Sequence, residues 1–136
     1  WCKTSGSKGL QLYVPLNGPD ATHDHAAEFA RAAGTLLERQ TPDEVTVTMA
    51  KSERKGRIFV DWSQNAFHKT TIAPYSLRAR PDPTVSTPVT WDEVTACADD
   101  EVFLRFEAAD VLDRVDEHGD LFADVLTVTQ SLPSKG

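Results

Sequence analysis

An α/β or α+β fold, with a mixed β-sheet flanked by helices, is predicted by three features of this 136-residue chain. β-rich and helical runs interleave. One long stretch carries apolar residues at helical spacing, and segments rich in Gly, Pro, Asn and Asp separate the runs. The length suits one domain with a real core. Its 40% hydrophobic and 26% charged content places it with globular domains.

The first element follows the glycine-rich stretch "KTSGSKG". In "GLQLYVPL", Leu10, Leu12 and Val14 alternate with Gln11 and Tyr13, which predicts a strand closed by Pro15. After the turn-rich "NGPDATHDH", residues Ala26, Phe29, Ala30, Ala33, Leu36 and Leu37 share one helical face, predicting an amphipathic helix from Asp24 to about Gln40. "TPD" ends it. "EVTVTMA" is strand-like in its β-branched residues, although a helix end fits it too. "KSERKG" is a charged connection, and "RIFVDW" is the length of a central strand.

"KTTIAPYSLRAR" is β-rich but interrupted by Pro74, so an edge or bulged strand is expected. "PDPTVSTPVTW" reads as an extended proline-rich arm. Thr90 with Glu93 three residues later is a capping-box pattern that starts a helix. "FEAADVLDRVDEHGDLFADVL" predicts two short acidic helices split at Gly119.

The net charge of −7 is unevenly spread: −2 over residues 1–50, +5 over 51–80 and −10 over 81–136. Surface potentials act over roughly 8–10 Å, so a basic block in an acidic chain indicates a local anion site, or else a solvated basic face. No run approaches the ~18 apolar residues of a membrane span, and no membrane partner is expected. Cys2 and Cys97 have neither metal-ligand spacing nor a disulfide framework, which points to a reduced, intracellular setting. The chain opens at Trp1 and enters loop and strand at once, which suggests a piece of a longer protein.

Two stretches could carry chemistry. "SGSKG" offers glycine-turn N–H groups, two hydroxyls and the Lys8 ammonium, a set that can cradle a phosphate or form a plain turn. It lacks the P-loop pattern, and a strand follows it instead of a helix. Asp61, within Ile58-Phe59-Val60-Asp61-Trp62, would be costly to bury alone. It is a metal ligand or general base, or it pairs with a nearby Arg or Lys; a hard cation would need further oxygen ligands beside it. "HDH" at 23–25 permits a zinc reading, but without further Cys/His spacing it fits a solvated helix entry.

Taken in order, "TSGSKGLQLYVPL", "KSERKGRIFVDWSQN" and "KTTIAPYSLRARPDPTVSTPVTWDEV" resemble the polymerase domain of bacterial ligase D, of the archaeo-eukaryotic primase superfamily. The resemblance covers residues 3 to 126, and implies a primase-polymerase-like core. It implies nucleotide addition, with ribonucleotides often preferred, to 3′-hydroxyls at DNA ends and gaps in nonhomologous end joining, using Mn²⁺ or Mg²⁺. Implied partners are DNA ends with a 5′-phosphate and primer-template, nucleoside triphosphates, Ku and a ligase domain; the implied location is the bacterial cytoplasm and nucleoid. Carried over residue by residue, Ser5 and Lys8 contact the triphosphate, Asp61 is the third catalytic carboxylate and binds metal, and Arg54 and Arg78 contact phosphates of nucleotide or primer.

Two departures matter. The family's paired Asp-x-Asp carboxylates lie upstream of "SGSKG", and none precedes residue 3 here. Residues 1–136 therefore read as the C-terminal part of the catalytic domain, with strands and helix of the nucleotide and metal site over 1–80, and the proline-rich arm and acidic helices over 81–136. This piece is expected to be inactive alone. Secondly, Gln11 stands where several relatives have His; its amide can still donate to a phosphate oxygen. The alternatives are a non-catalytic nucleotide or DNA-end binding module, and a stand-alone primase-polymerase of another repair pathway.

Overall fold

The alternating run after the glycine loop does form a strand, but its partner is a strand that precedes the loop. In the computed structural model, which describes residues 1–133, Cys2–Thr4 (β1) and Leu10–Leu12 (β2) form an antiparallel hairpin around Ser5–Gly9. The last three residues of the domain expected over 1–136 lie outside the described residues. The chain divides into two compact units, one of Trp1–Asn17 with Ile72–Gln130 and one built on Gly18–Thr71.

In the first unit, β1 is the centre of a three-stranded sheet of order β2-β1-β5, with Pro88–Val89 as β5. The register pairs Cys2 with Leu12 and Val89, and Lys3 with Gln11 and Pro88. The apolar alternation of β2 faces outward: Leu10 and Leu12 are exposed, while Gln11 turns toward Lys3.

The proline-rich segment predicted as an arm is extended, but it is the most buried stretch of the unit, with Thr84 through Val89 all buried. Hydroxyl-rich backbone tolerates this only if its polar groups are paired. The Thr4 amide donates to Thr87 O at 2.8 Å, Val85 N to Phe106 O at 2.9 Å, and Ser86 N to Ser76 O at 2.9 Å. The Ser86 and Thr87 hydroxyls donate to the carbonyls of Thr4 and Val85. No buried side-chain polar atom among the described residues lacks a partner. The "KTTIAPYSLRAR" run contributes only an isolated bridge, Leu77 to Val85, in place of a full strand.

Helix Trp91–Ala98 (α2) starts at the predicted capping box: Thr90 Oγ1 accepts from Glu93 N, and Glu93 Oε2 accepts from Thr90 N at 2.8 Å. Helix Ala108–His118 (α3) ends at Gly119, whose φ of 68° suits glycine, and a 3-10 turn follows at Ala123–Leu126. The predicted acidic pair is thus one helix and one turn.

The second unit holds helix His23–Gln40 (α1), close to the predicted span, with Thr22 as its N-cap. Val45–Thr46 (β3) and Ile58–Phe59 (β4) pair in parallel. "RIFVDW" is therefore a two-residue strand leading into a 3-10 turn at Trp62–Asn65, and no central strand of a larger sheet. Gly34 of α1 is required by packing, since a Cβ there would lie 2.7 Å from Val47 Cγ1 and 3.0 Å from Val60 Cγ1. No helix among the described residues is long and apolar enough to cross a membrane.

Candidate phosphate-binding site

The SGSKG loop is held from inside. Ser5 N donates to Gly9 O at 2.8 Å and closes the hairpin. Ser5 Oγ accepts from the amides of Ser7 and Gly9, each at 3.2 Å, so this hydroxyl shapes the turn. Three successive carbonyls point inward to side chains: Thr4 O accepts from Ser86 Oγ at 2.7 Å, Ser5 O from Arg78 Nε at 2.8 Å, and Gly6 O from Thr84 Oγ1 at 2.6 Å. Gly6 has φ 65°, and a Cβ there would lie 3.0 Å from Arg78 Cγ and 3.1 Å from Ser86 N. Only glycine fits both the backbone and the space.

Lys8 stands at the exposed tip. Neither its amide nor its ammonium is bonded to a protein group among the described residues. The loop also walls a cavity of about 630 Å³ with Thr4, Gly6, Lys8, Leu10, Arg80 and Phe106 among its lining, but Ser5, Gln11 and Arg78 do not line it. That volume suits a small-molecule site. Arg80 reaches across to Ser7 Oγ, and Arg105 is paired with Glu107.

Beneath the loop lies a residue that sequence patterns did not single out. Lys3 has no exposed surface, and its Nζ donates to Gln11 Oε1 at 2.6 Å, Ser86 Oγ at 2.6 Å and Ile72 O at 2.9 Å. Burial, and then the neighbouring Arg78 guanidinium, push its pKa down to about 8. The Tyr13 ring faces the ammonium at 5.7 Å. The available signal was that β1 and β2 flank the loop symmetrically, which puts Lys3 cross-strand from Gln11.

Four of the six candidate site residues, Ser5, Lys8, Gln11 and Arg78, lie in the first unit, around this one loop. Arg54 and Asp61 belong to the second unit. Asp61 follows β4 and is exposed, so the burial cost that its apolar neighbours suggested does not arise. Its carboxylate accepts from Ser63 Oγ at 2.7 Å, and no salt bridge engages it among the described residues. Arg54 is committed locally. Its Nε donates to Thr48 O at 3.0 Å, its Nη2 to Met49 O, and its guanidinium lies 3.5 Å from the centre of the Phe59 ring.

No group of three or more His, Cys, Asp or Glu among the described residues is placed to hold a metal ion. An exposed carboxylate such as Asp61 is chemically able to serve as one oxygen ligand of a divalent cation, which would need further oxygens beside it. The "HDH" stretch is the helix entry: His23 opens α1 and its Nδ1 lies 2.8 Å from Asn65 O. Both cysteines are free thiols, and burial raises the pKa of Cys2.

Residues 1–122 match the family described as LigD, primase-polymerase domain. The chain is 56% identical over 121 residues to the multifunctional non-homologous end joining protein LigD of Mycolicibacterium smegmatis, covering 88% of this chain and 15% of that protein. It is 49% identical over 118 residues to the corresponding DNA repair protein of Mycobacterium tuberculosis, again spanning 15% of the relative's length. The solved polymerase domain of M. tuberculosis ligase D in complex with DNA is similar with a TM-score of 0.84 and 45% identity, over 95% of this chain and 43% of that one. On the family match and these identities, the chain belongs to the LigD primase-polymerase domain family.

Proposed function

We propose that this chain supplies the triphosphate-holding part of a polymerase domain that adds nucleotides, preferably ribonucleotides, to 3′-hydroxyls of broken or gapped DNA in nonhomologous end joining. The observation that carries this is the SGSKG loop, with three carbonyls tied inward and the Lys8 ammonium left without a protein partner at its exposed tip. Family membership and the DNA bound to the solved relative support it.

In the reaction, the 3′-oxygen attacks the α-phosphorus to form a phosphodiester, the α–β phosphoanhydride bond breaks, pyrophosphate leaves, and the hydroxyl proton passes to a base. The protein's part in such a transfer is to position the phosphates and place charge around them. Lys8 neutralises the triphosphate and Arg78 holds the loop, while Ser5 keeps the turn in shape. Gln11 offers amide N–H donors, and Arg54, stacked on Phe59, is the phosphate contact of the second unit. Asp61 ligates the divalent cation. When bound, Mn²⁺ or Mg²⁺ polarises the phosphate and stabilises the attacking and leaving oxygens.

Asp61 stands outside any metal-holding group of three or more His, Cys, Asp or Glu among the described residues, which supports binding by this chain with turnover drawing on further carboxylates. Ku, a ligase domain and a cytoplasmic, nucleoid-associated setting rest on the family relationship. The test is Mn²⁺-dependent nucleotide addition to a gapped duplex by the complete polypeptide. Asp61→Ala is expected to reduce it by a factor on the order of 10² or more. Unchanged addition would refute the assignment.

A further inference from the structure

We infer that Lys3 is a positioning residue for the phosphate site: its ammonium fixes the Gln11 amide with the carbonyl inward and the NH₂ outward, and places a buried, unpaired positive charge behind the loop. The inference rests on the function proposed above and concerns how that same site is held.

The geometry comes from the hairpin. Lys3 and Gln11 are cross-strand partners, so their side chains share one face of the sheet. Side chains alternate, which puts Ser5 and Gly9, the closing pair of the loop, on that face two residues further on. Since Gln11 Oε1 accepts from Lys3 Nζ at 2.6 Å, the NH₂ of the same planar amide is directed away from Lys3. A lysine is almost never fully buried unless paired. Here the three acceptors are an amide, a hydroxyl and a backbone carbonyl.

The surroundings do not compensate the charge. From β2 come Gln11 and the Tyr13 ring, and from the chain after the second unit the Ile72 carbonyl and the like-charged Arg78. Ser86 contributes its hydroxyl, while on its own strand stands the buried Cys2 thiol. No carboxylate is bonded to Lys3 among the described residues. An anion on the loop would supply the missing charge, and by linkage it would raise the proton affinity of Lys3.

Loss of the proton also has a structural consequence. Three acceptors then face two N–H groups. Ile72 O is backbone, and Ser86 Oγ is fixed by donating to Thr4 O at 2.7 Å. Gln11 is the partner free to turn, presenting its NH₂ to the Nζ lone pair and withdrawing it from the site. Deprotonation therefore removes both a charge and a donor, so anion affinity falls as pH rises through about 8.

The experiment is calorimetric titration of the chain with magnesium adenosine triphosphate, which is fully ionised between about pH 7.5 and about pH 9.5. The unaltered chain is expected to lose about tenfold in affinity across that window and to take up protons on binding near its middle. Lys3→Met retains every other titrating group; it is expected to bind about tenfold more weakly at the low end, with a flat profile and no Lys3-dependent proton uptake. Should that variant not fold, Gln11→Glu decides: a carboxylate at this position holds the proton of Lys3, so binding weakens at every pH but stays flat. Lys3→Met or Gln11→Glu chains that keep the unaltered slope would overturn the inference alone. Absence of any saturable binding by the unaltered chain would overturn the proposed function and this inference with it.

Discussion

Arg78 Nε donates to the carbonyl of Ser5 at 2.8 Å, and this bond ties the first arginine of "SLRAR" to the first residue of the glycine loop, 73 positions away. The same side chain packs its Cγ where a Cβ on Gly6 would stand. Arg78 is therefore part of the loop's foundation as well as a cation near its mouth.

Arg78→Lys keeps the charge but not the guanidinium fork that reaches Ser5 O. Nucleoside triphosphate affinity is expected to fall about tenfold, and the Ser7 and Gly9 amides, bonded to Ser5 Oγ, to exchange faster with solvent. Unchanged amide protection in the lysine variant would mean that the loop holds its shape without this bond.

Gly6→Ala confronts both the positive φ and the Arg78 and Ser86 contacts. A stability loss of roughly 1–3 kcal/mol in denaturant unfolding is expected, together with weaker triphosphate binding. A neutral effect on both would remove Gly6 from the account.

Glu93 links three parts of the first unit. It completes the cap of α2 with Thr90, and receives two bonds from Arg114 of α3, one of them from Nη2 at 2.9 Å. Arg114 also donates to Pro88 O at 3.1 Å and lies over the Phe106 ring. Burial works to raise the pKa of Glu93, but the Arg114 and Thr90 contacts outweigh it and leave the value lowered below 4.5. A lowered carboxyl contributes stability that is full above its unfolded value and lost as pH falls through the folded one. Glu93→Gln is expected to be less stable near neutral pH by roughly 1–3 kcal/mol and to lose less on acidification below about pH 4.5. An acid-unfolding profile that parallels the unaltered chain's would contradict this.

Legibility in the sequence followed the range of the interactions. Helix α1, the Thr90–Glu93 cap and the Gly119 stop are set by contacts within a few residues, and local spacing showed all three. The buried stretch Thr84–Val89 looked like an arm because Thr, Ser and Pro are turn residues in isolation. What makes it a core is pairing with Thr4, Gly6 and Ser76, the first two about eighty residues away in the chain. Such partners are invisible to periodicity. Lys3 was missed for the same reason, since its three acceptors lie in three different segments. The loop itself was legible by composition; that Ser5 Oγ faces its own turn was not.

The central claim is that the loop holds a triphosphate and that Asp61 binds the accompanying metal. The most direct measurement is a titration of the chain with a nucleoside triphosphate, with and without Mn²⁺, repeated for Lys8→Ala and Asp61→Ala. The account predicts saturable binding that weakens by roughly 10- to 100-fold in Lys8→Ala and becomes independent of Mn²⁺ in Asp61→Ala, both side chains being exposed enough to remove without harm to the fold. Binding by Lys8→Ala equal to that of the unaltered chain, or a metal dependence that survives loss of Asp61, would contradict it.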